Sequence, residues 1–352
     1  MNTERRITMY FFKSDYTEGA LPEVMDALLR TNLESTPGYG KDHYCEEAAD
    51  KLKARFLCPN ADVHFLVGGT QANFTCISAF LRPWEAVISA RSGHIADHET
   101  GAVEARGHKI CTVETPDGKL RPEQIRAVIQ EKNGWYDEHM ETPKMVYVSN
   151  PTELGTLYRK DELQALRDVC DELDLYLYLD GARLPIALTS LQNDLLPEDY
   201  PALCDAFYVG GTKNGLLFGE AVVIVNDSLK SHFRHMIKQC GGMLAKGRLL
   251  GVQFSTYFDN DLWLVTARKA NELAERLGAG IAAKGYRFHA DSAVNMLFPI
   301  FKKSLIEVLE EQFAFEYIED LGNGEMVIRF VTSWATQTEA VDALLNALPE
   351  AT

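Results

Sequence analysis

The chain is short of basic residues. Against 51 Asp and Glu it carries 35 Lys and Arg, a formal net charge of −16 at neutral pH. That balance argues against nucleic acid or an anionic membrane surface as the main partner. It leaves room for a small anionic ligand, which responds only to the local field. Paired cysteines are also missing. Cys45, Cys58, Cys76, Cys111, Cys170, Cys204 and Cys240 are odd in number, scattered, and form no Cys-x-x-Cys motif. Neither a disulfide framework nor a cysteine zinc site is expected, and the cysteines read as small buried hydrophobes of a cytosolic protein. No apolar run approaches the ~18 residues of a transmembrane helix. No signal-peptide core accompanies Glu4, Arg5, Arg6 and Lys13, so a cytoplasmic location is expected. Repeats and low-complexity segments are absent as well. What remains is 352 residues, 46% hydrophobic and 24% charged, enough for a large core in two domains or one large α/β domain with a smaller partner.

Residues 1–20 read as an arm ending in Ser14-Asp15-Tyr16-Thr17-Glu18-Gly19. Apolar spacing predicts helices over Leu21–Leu33, with Pro22 early, and over Glu46–Phe56. From Val63 short apolar strands alternate with amphipathic helices. The strands are expected at Val63–Val67, Ala86–Ser89, Lys109–Val113, Met145–Ser149, Leu175–Leu179, Ala206–Val209 and Ala221–Val225. Helices are expected at Ala72–Leu81, Glu123–Glu131 and Lys160–Leu173. Such alternation implies a mostly parallel sheet covered on both faces. Near residue 255 the pattern changes. A long helix, Leu262–Ala283, precedes short strands at Tyr286–Phe288, Met296–Ile300, Phe315–Ile318 and Met326–Val331, and a last helix opens on the capping-box pattern Thr336-Gln337-Thr338-Glu339. The expected division is an arm over 1–20, a large domain over 21–255 and a smaller α+β domain over 256–352.

Ligands of parallel α/β sheets lie at the carboxyl ends of the strands, so the residues following each strand carry the functional argument. After Val67, Gly68-Gly69-Thr70-Gln71-Ala72-Asn73 opens a helix with free N–H groups and one hydroxyl, a cradle for phosphate or an ordinary strand-helix turn. It is neither a Walker loop nor a dinucleotide fingerprint. After Ser89 come His94, His98 and Glu99. The two histidines, one turn apart, fit a metal site, while a flat imidazole at a strand end also suits stacking on an aromatic ring, or a structural role. After Leu179 comes Asp180-Gly181-Ala182-Arg183. A carboxylate leaving a buried strand needs a cationic partner, and Arg183 is either that partner or a clamp for a substrate carboxylate. Arg329 sits within the apolar strand Met326–Val331, paired internally or aimed at an anion. The strand Ala206–Val209 runs into Gly210-Gly211-Thr212-Lys213-Asn214-Gly215. A lysine there is either a surface residue of a turn or a partly buried amine suited to a Schiff base.

A phosphate cradle, a flat histidine, a strand-end aspartate, a turn lysine and two arginines together match pyridoxal 5′-phosphate. Gly69 and Thr70 suit its phosphate, Lys213 its aldehyde, and Asp180 the ring nitrogen that makes it an electron sink. Each feature alone is weak; their order at successive strand ends carries the inference.

Ser14-Asp15, Tyr39-Gly40, Gly69-Thr70-Gln71-Ala72-Asn73, His94 with Glu99, Asp180-Gly181-Ala182-Arg183, Gly210-Gly211-Thr212-Lys213-Asn214-Gly215 and Arg329 resemble the pyridoxal-phosphate-dependent low-specificity L-threonine aldolases over nearly the whole chain. The resemblance is closest to a bacterial branch that includes phenylserine-type aldolases. It implies the fold type I, aspartate-aminotransferase-like architecture: a mostly parallel seven-stranded sheet covered by helices, plus a smaller C-terminal α+β domain. It implies Lys213 as the residue bonded to the cofactor and His94 stacked on its ring. The implied cofactor-binding set is Gly69, Thr70, Gln71, His94, Asp180, Arg183, Thr212, Lys213 and Lys246. Ser14, Tyr39, Arg183 and Arg329 are implied to bind substrate. Tyr39 and Lys246 are implied to serve sites shared within a dimer or tetramer. One departure stands out. Where many members carry a histidine that contacts the substrate hydroxyl, this chain reads Pro151-Thr152-Glu153-Leu154-Gly155-Thr156. Glu153, a water or His94 must take over that contact, unless Glu153 is merely a solvated loop residue. The implied activity is retro-aldol cleavage of threonine, allo-threonine or related L-β-hydroxy-α-amino acids to glycine and an aldehyde. The alternatives are a β-eliminating or hydroxymethyltransferase-like lyase, a metal-dependent hydrolase using His94, His98 and Glu99, and a non-catalytic binding protein.

Overall fold

The computed structural model describes residues 9–132 and 137–351. Residues 1–8 of the expected arm lie outside the described residues. The strands, in chain order, are β1 (Tyr10–Phe11), β2 (Asp62–Leu66), β3 (Glu85–Ala90), β4 (Ile110–Val113), β5 (Thr142–Ser149), β6 (Tyr176–Asp180), β7 (Ala206–Gly210), β8 (Glu220–Ile224), β9 (Met296–Leu297), β10 (Ile300–Lys302), β11 (Phe313–Ala314), β12 (Glu316–Asp320) and β13 (Glu325–Val331). Seven of them form the main sheet in the order β2-β8-β7-β6-β5-β3-β4. Its pairs are parallel except that β8 runs antiparallel to both β2 and β7.

Period-two alternation explains the burial of both faces. Val146, Val148, Leu177, Leu179, Phe207, Val209, Ala221 and Val223 enter one core. Met145, Tyr147, Tyr178, Ala206, Tyr208, Val222 and Ile224 enter the other. Fully burying one such Leu, Val or Phe side chain contributes about 1.5–3 kcal/mol, so a strand slipped by one residue would exchange two cores at once. The direction of travel across the sheet reverses between β3 and β5, and a crevice is expected at such a switch point.

The helix Leu262–Ala283 ties the main sheet to the C-terminal part. Trp263 packs with the first core, Ala267 and Ala270 with a second cluster, and Leu273, Leu277 and Ile281 with Phe301, Phe313, Ile328 and Phe330. There β10, β13 and β12 form an antiparallel sheet, with β9 also on β13. The N-terminal strand β1 joins this end of the molecule, parallel to β11. The chain then runs back to the main sheet, where the Leu21 N–H donates to the Gly215 carbonyl at 2.9 Å.

Three expectations are corrected. Tyr286–Phe288 is not a strand; one isolated bridge joins Phe288 to Pro299. The expected strand Met296–Ile300 is split into β9 and β10 around Phe298-Pro299, because proline offers no N–H to the ladder. The final helix begins at Thr338 without a side-chain cap. Thr336 Oγ1 instead accepts the Ser333 N–H at 2.8 Å, which takes it out of the capping box.

Candidate active site

β2, β3, β5, β6 and β7 all deliver their carboxyl ends to one cavity of about 280 Å³, where β8 begins. Gly68, Gly69 and Thr70 come from the turn after β2, His94 from after β3, and Ser149, Pro151, Thr152 and Glu153 from after β5. Asp180, Ala182 and Arg183 follow β6, Thr212 and Lys213 follow β7, Glu220 opens β8, and Tyr16 comes from the arm.

Two glycines set the spacing of the Asp180 loop and the Lys213 turn. A Cβ on Gly181 would stand 1.9 Å from the Tyr208 carbonyl oxygen, and one on Gly210 would stand 2.1 Å from that of Ala182. Asn214 Nδ2 donates to the Ala182 and Gly210 carbonyls at 3.0 and 2.9 Å. The aspartate and the lysine are therefore fixed relative to each other by backbone contact.

Asp180 is 4% exposed and fully committed. Its Oδ2 accepts from the Tyr147 hydroxyl at 2.6 Å and Asn73 Nδ2 at 3.0 Å. Its Oδ1 accepts from the Ala182 N–H at 3.0 Å and from the Tyr208 hydroxyl. Burial alone would raise its pKa, but His94 and the bonds from Tyr147, Tyr208 and Asn73 outweigh it and hold the carboxyl below its ordinary range. Asp180 is thus built to stay ionised.

His94 opens a one-turn helix. Its Nδ1 bonds Glu99 Oε1 at 2.8 Å, and the same oxygen accepts Asn73 Nδ2 at 2.7 Å. Burial pulls the imidazole pKa down, yet the bond to Glu99 and the charge of Asp180 win, and the net shift is upward. His98 has a 58% exposed side chain next to Asp97. Among the described residues, no three His, Cys, Asp or Glu side chains gather as metal ligands.

Lys213 is half-buried in the wall of this cavity, and among the described residues its ammonium has no hydrogen bond or ion pair. Burial and then the charge of Arg183 lower its pKa, against the pull of Asp15, Asp180 and Glu220. Arg183 is held from behind, with Nε on Asp15 Oδ2 at 2.6 Å and Nη2 on Asp15 Oδ1 at 3.0 Å. Asn295 Nδ2 donates to the same carboxylate at 3.0 Å, so Asp15 joins arm, main sheet and C-terminal part. Arg329 lies in the field of Arg183 and Asp15, its pKa lowered by burial first and Arg183 second. Its Nε is buried without a hydrogen-bond partner. One guanidinium bonded to Asp15 and a second with its Nε unpaired suit a subsite for a further anion.

Glu153 is half-buried in the cavity wall and makes two bonds. Its Oε1 accepts the His94 N–H at 3.0 Å and the Ser149 hydroxyl at 2.9 Å. Burial and the Asp180 charge raise its pKa. Ser14 is buried on the arm beside Asp15. Of the expected residues, Ser14, Arg329, Gln71, Tyr39 and Lys246 do not line the cavity. Gln71 spends its amide on the backbone, accepting from Val67 N–H and donating to the Cys240 carbonyl. Tyr39 is 47% exposed, lies under the Lys238 ammonium and lines two other cavities. Lys246 is exposed in the same region. Sequence reasoning assigned no role to Asn73, Asp15, Tyr147, Tyr208 and Glu220. Only the odd occurrence of a carboxylate at a strand start, Glu220, offered a signal.

As a donor set the cavity suits a group with a phosphate, an aldehyde and a basic ring nitrogen. The helix Gly69–Phe80 starts without a side-chain cap, leaving N–H groups for an anion. A half-buried, unpaired amine and a carboxylate held below its ordinary pKa range complete it.

Comparison with known proteins points the same way. The family model for beta-eliminating lyases matches residues 12–304. The chain is 32% identical over 341 residues to the low specificity L-threonine aldolase of Pseudomonas aeruginosa, covering 95% of each. It is 31% identical over 336 residues to that of a Pseudomonas species, again covering 95% of each. The solved Leishmania major threonine aldolase is similar at a TM-score of 0.94 with 45% identity, over 96% of this chain and 98% of that one. A Thermus thermophilus aspartate aminotransferase, at TM-score 0.71 and 18% identity over 97% and 91% of the two chains, shares the fold.

Proposed function

We propose that this chain, which belongs to the beta-eliminating lyase family, is a pyridoxal-5′-phosphate-dependent aldolase. It cleaves L-threonine, L-allo-threonine or a related L-β-hydroxy-α-amino acid, phenylserine types included, to glycine and an aldehyde. The observation that carries the reading is half-buried, unpaired Lys213 in one cavity with Asp180, whose pKa is held low, and an uncapped helix start. The relatives named as threonine aldolases support it.

The residues fit the cofactor. Gly69, Thr70 and Thr212 would hold the phosphate, Lys213 the aldehyde, Asp180 the ring nitrogen and His94 the ring face. Gln71 drops out because its amide is spent on backbone. When bound, the cofactor supplies a sink for the electron pair released from the Cα–Cβ bond. Arg183, Arg329 and Ser14 hold the substrate carboxylate, and that clamp decides which bond at Cα is aligned for cleavage. Asp15 keeps Arg183 turned toward this task. As Cβ–O becomes a carbonyl its proton leaves to a base, and Cα takes a proton to give glycine. His94 Nδ1 is occupied by Glu99, so its remaining nitrogen is free to lie against the ring. Glu153, with its raised pKa, is the base.

A base works only when ionised, so turnover should fall as pH drops through the raised Glu153 pKa. Glu153→Gln should lower kcat by about 10²-fold or more and flatten that acid limb. A variant that keeps both rate and limb would move the role to His94. The overall assignment is tested by product analysis. L-threonine should yield glycine and acetaldehyde with no folate present, whereas 2-oxobutyrate and ammonia would make the enzyme a β-eliminating lyase instead.

A homo-oligomer belongs to the same proposal, with Tyr39 and Lys246 serving a neighbouring subunit's site. Met25, Leu29 and Leu33 recur every fourth residue along and just past the first helix, at 46%, 76% and 95% exposure. Large exposed apolar stripes of this kind mark interfaces. Leu29→Glu with Leu33→Glu should shift the mass in light scattering toward the monomer and cut activity with it; an unchanged mass would remove this stripe from the interface.

A further inference from the structure

Glu220 is a carboxylate between the phosphate cradle and the lysine turn. As the first residue of β8 it pairs with Leu66 on one side and Gly210 on the other. Leu66 ends the strand that feeds Gly68-Gly69-Thr70, and Gly210 ends the strand that feeds Lys213. The side chain lines the cavity with both groups and is 3% exposed. Its Oε1 accepts the Thr212 hydroxyl at 2.7 Å and its Oε2 the Gly211 N–H at 3.2 Å. Four titratable groups face it. Lys213 and Tyr208 belong to β7 and its turn, Asp180 ends β6, and Tyr257 comes from the helix Arg248–Phe258. The Tyr257 hydroxyl is buried without a partner.

The donors that Glu220 occupies, the Thr212 hydroxyl and a turn N–H, are the donors a phosphate needs. A second negative charge there, with Asp180 already fixed as an anion, opposes an incoming phosphate. We propose that Glu220 takes up a proton when the cofactor phosphate is seated, so that cofactor binding is linked to proton uptake at this one carboxyl. The inference rests on the cofactor reading above. Burial has already pushed the Glu220 carboxyl up to about 8, against the Thr212 bond and the Lys213 charge, so the proton is available at neutral pH and scarce above it. A like charge arriving beside a carboxyl raises its pKa further. Sign follows directly: the bound state holds more protons, so affinity falls as pH rises through the unbound pKa.

The test uses full-length apoprotein and pyridoxine 5′-phosphate, whose alcohol replaces the aldehyde and cannot bond Lys213. Calorimetric titrations run from about pH 7.5 to about pH 9.5 on wild type and Glu220→Gln. Wild-type affinity should fall about twentyfold more than that of the variant over this range. Near pH 9, titrations in two buffers of different ionisation heat should show the wild type taking up about one proton more per ligand. Equal slopes in two proteins that both bind would overturn the role of Glu220 and leave the cofactor reading standing. Wild-type proton uptake near zero would overturn it without reference to the variant. No wild-type binding at any pH would overturn the cofactor reading itself, and this inference with it.

Discussion

Lys213→Ala should lose visible absorption from the loaded protein and lower turnover by at least about 10⁴-fold, the scale on which a covalent nucleophile is missed. It should do so without costing stability. The lysine is half-buried, and among the described residues its ammonium makes no hydrogen bond or ion pair; desolvation and Arg183 both disfavour its charge. An amine whose charge is disfavoured gives up its proton more readily to attack a carbonyl, and it burdens the fold rather than supporting it. Alanine removes the burden. The thermal midpoint of the apoprotein should therefore stay level or rise while chemistry disappears. Borohydride reduction of the loaded wild type, followed by peptide mapping, should place the adduct on Lys213. A variant with wild-type absorption would sink the assignment. A variant that lost activity only by melting early would show Lys213 to be structural.

That split between stability and activity also explains which parts of the site could be read from the sequence. Lys213, Asp180, His94 and Gly69-Thr70 follow apolar strands directly, so the sheet rule brings them to one edge. Their partners obey no such rule. Asn73 touches Asp180 and Glu99 because the helix after the cradle, Gly69–Phe80, turns its fifth residue inward. Asp15 reaches Arg183 from 168 positions earlier in the chain. Tyr147 and Tyr208 are spaced as ordinary core residues of their strands and differ from them only in a hydroxyl. Elements with one buried face were legible, as Lys160–Glu172 and Leu262–Ala283 show. The helix Arg248–Phe258 was not anticipated. Leu250, Gly251, Val252, Gln253, Phe254, Ser255, Tyr257 and Phe258 are all buried, so no 3.6-residue period survives. Gly251 carries no side chain because a Cβ there would stand 2.4 Å from the Cys45 nitrogen. The small-domain strands were blurred for the opposite reason. They are two to seven residues long and interrupted by Pro299, too short for alternation to declare itself.

Asp180→Asn separates the charge of the site from its shape. Four donors converge on this carboxylate: the hydroxyls of Tyr147 and Tyr208, Asn73 Nδ2 and the Ala182 N–H. Alanine would leave all four buried and unpaired, at about 1–3 kcal/mol each before relaxation, so Asp180→Ala should melt markedly earlier and bind cofactor poorly for that reason alone. Asparagine keeps the volume and one acceptor oxygen; its amide donor then meets two of the four donors, a smaller loss. What asparagine cannot keep is the charge. If ionised Asp180 holds the proton on the ring nitrogen, Asp180→Asn should load cofactor, retain most of its stability, and still lose about 10²–10³-fold in kcat, the range seen when one preorganised electrostatic contact is removed. KM should move far less, because the proposed grip on the substrate carboxylate belongs to Arg183 and Arg329. The wild-type pH profile should show no limb from Asp180 down to mildly acidic pH, since His94 and three side-chain donors hold its pKa below the ordinary range. Near-normal turnover in Asp180→Asn would mean that the four donors are the point of the arrangement and the charge incidental. The two variants together therefore distinguish an electron-sink aspartate from a packing aspartate, which the geometry of the donors makes equally visible and only the charge tells apart.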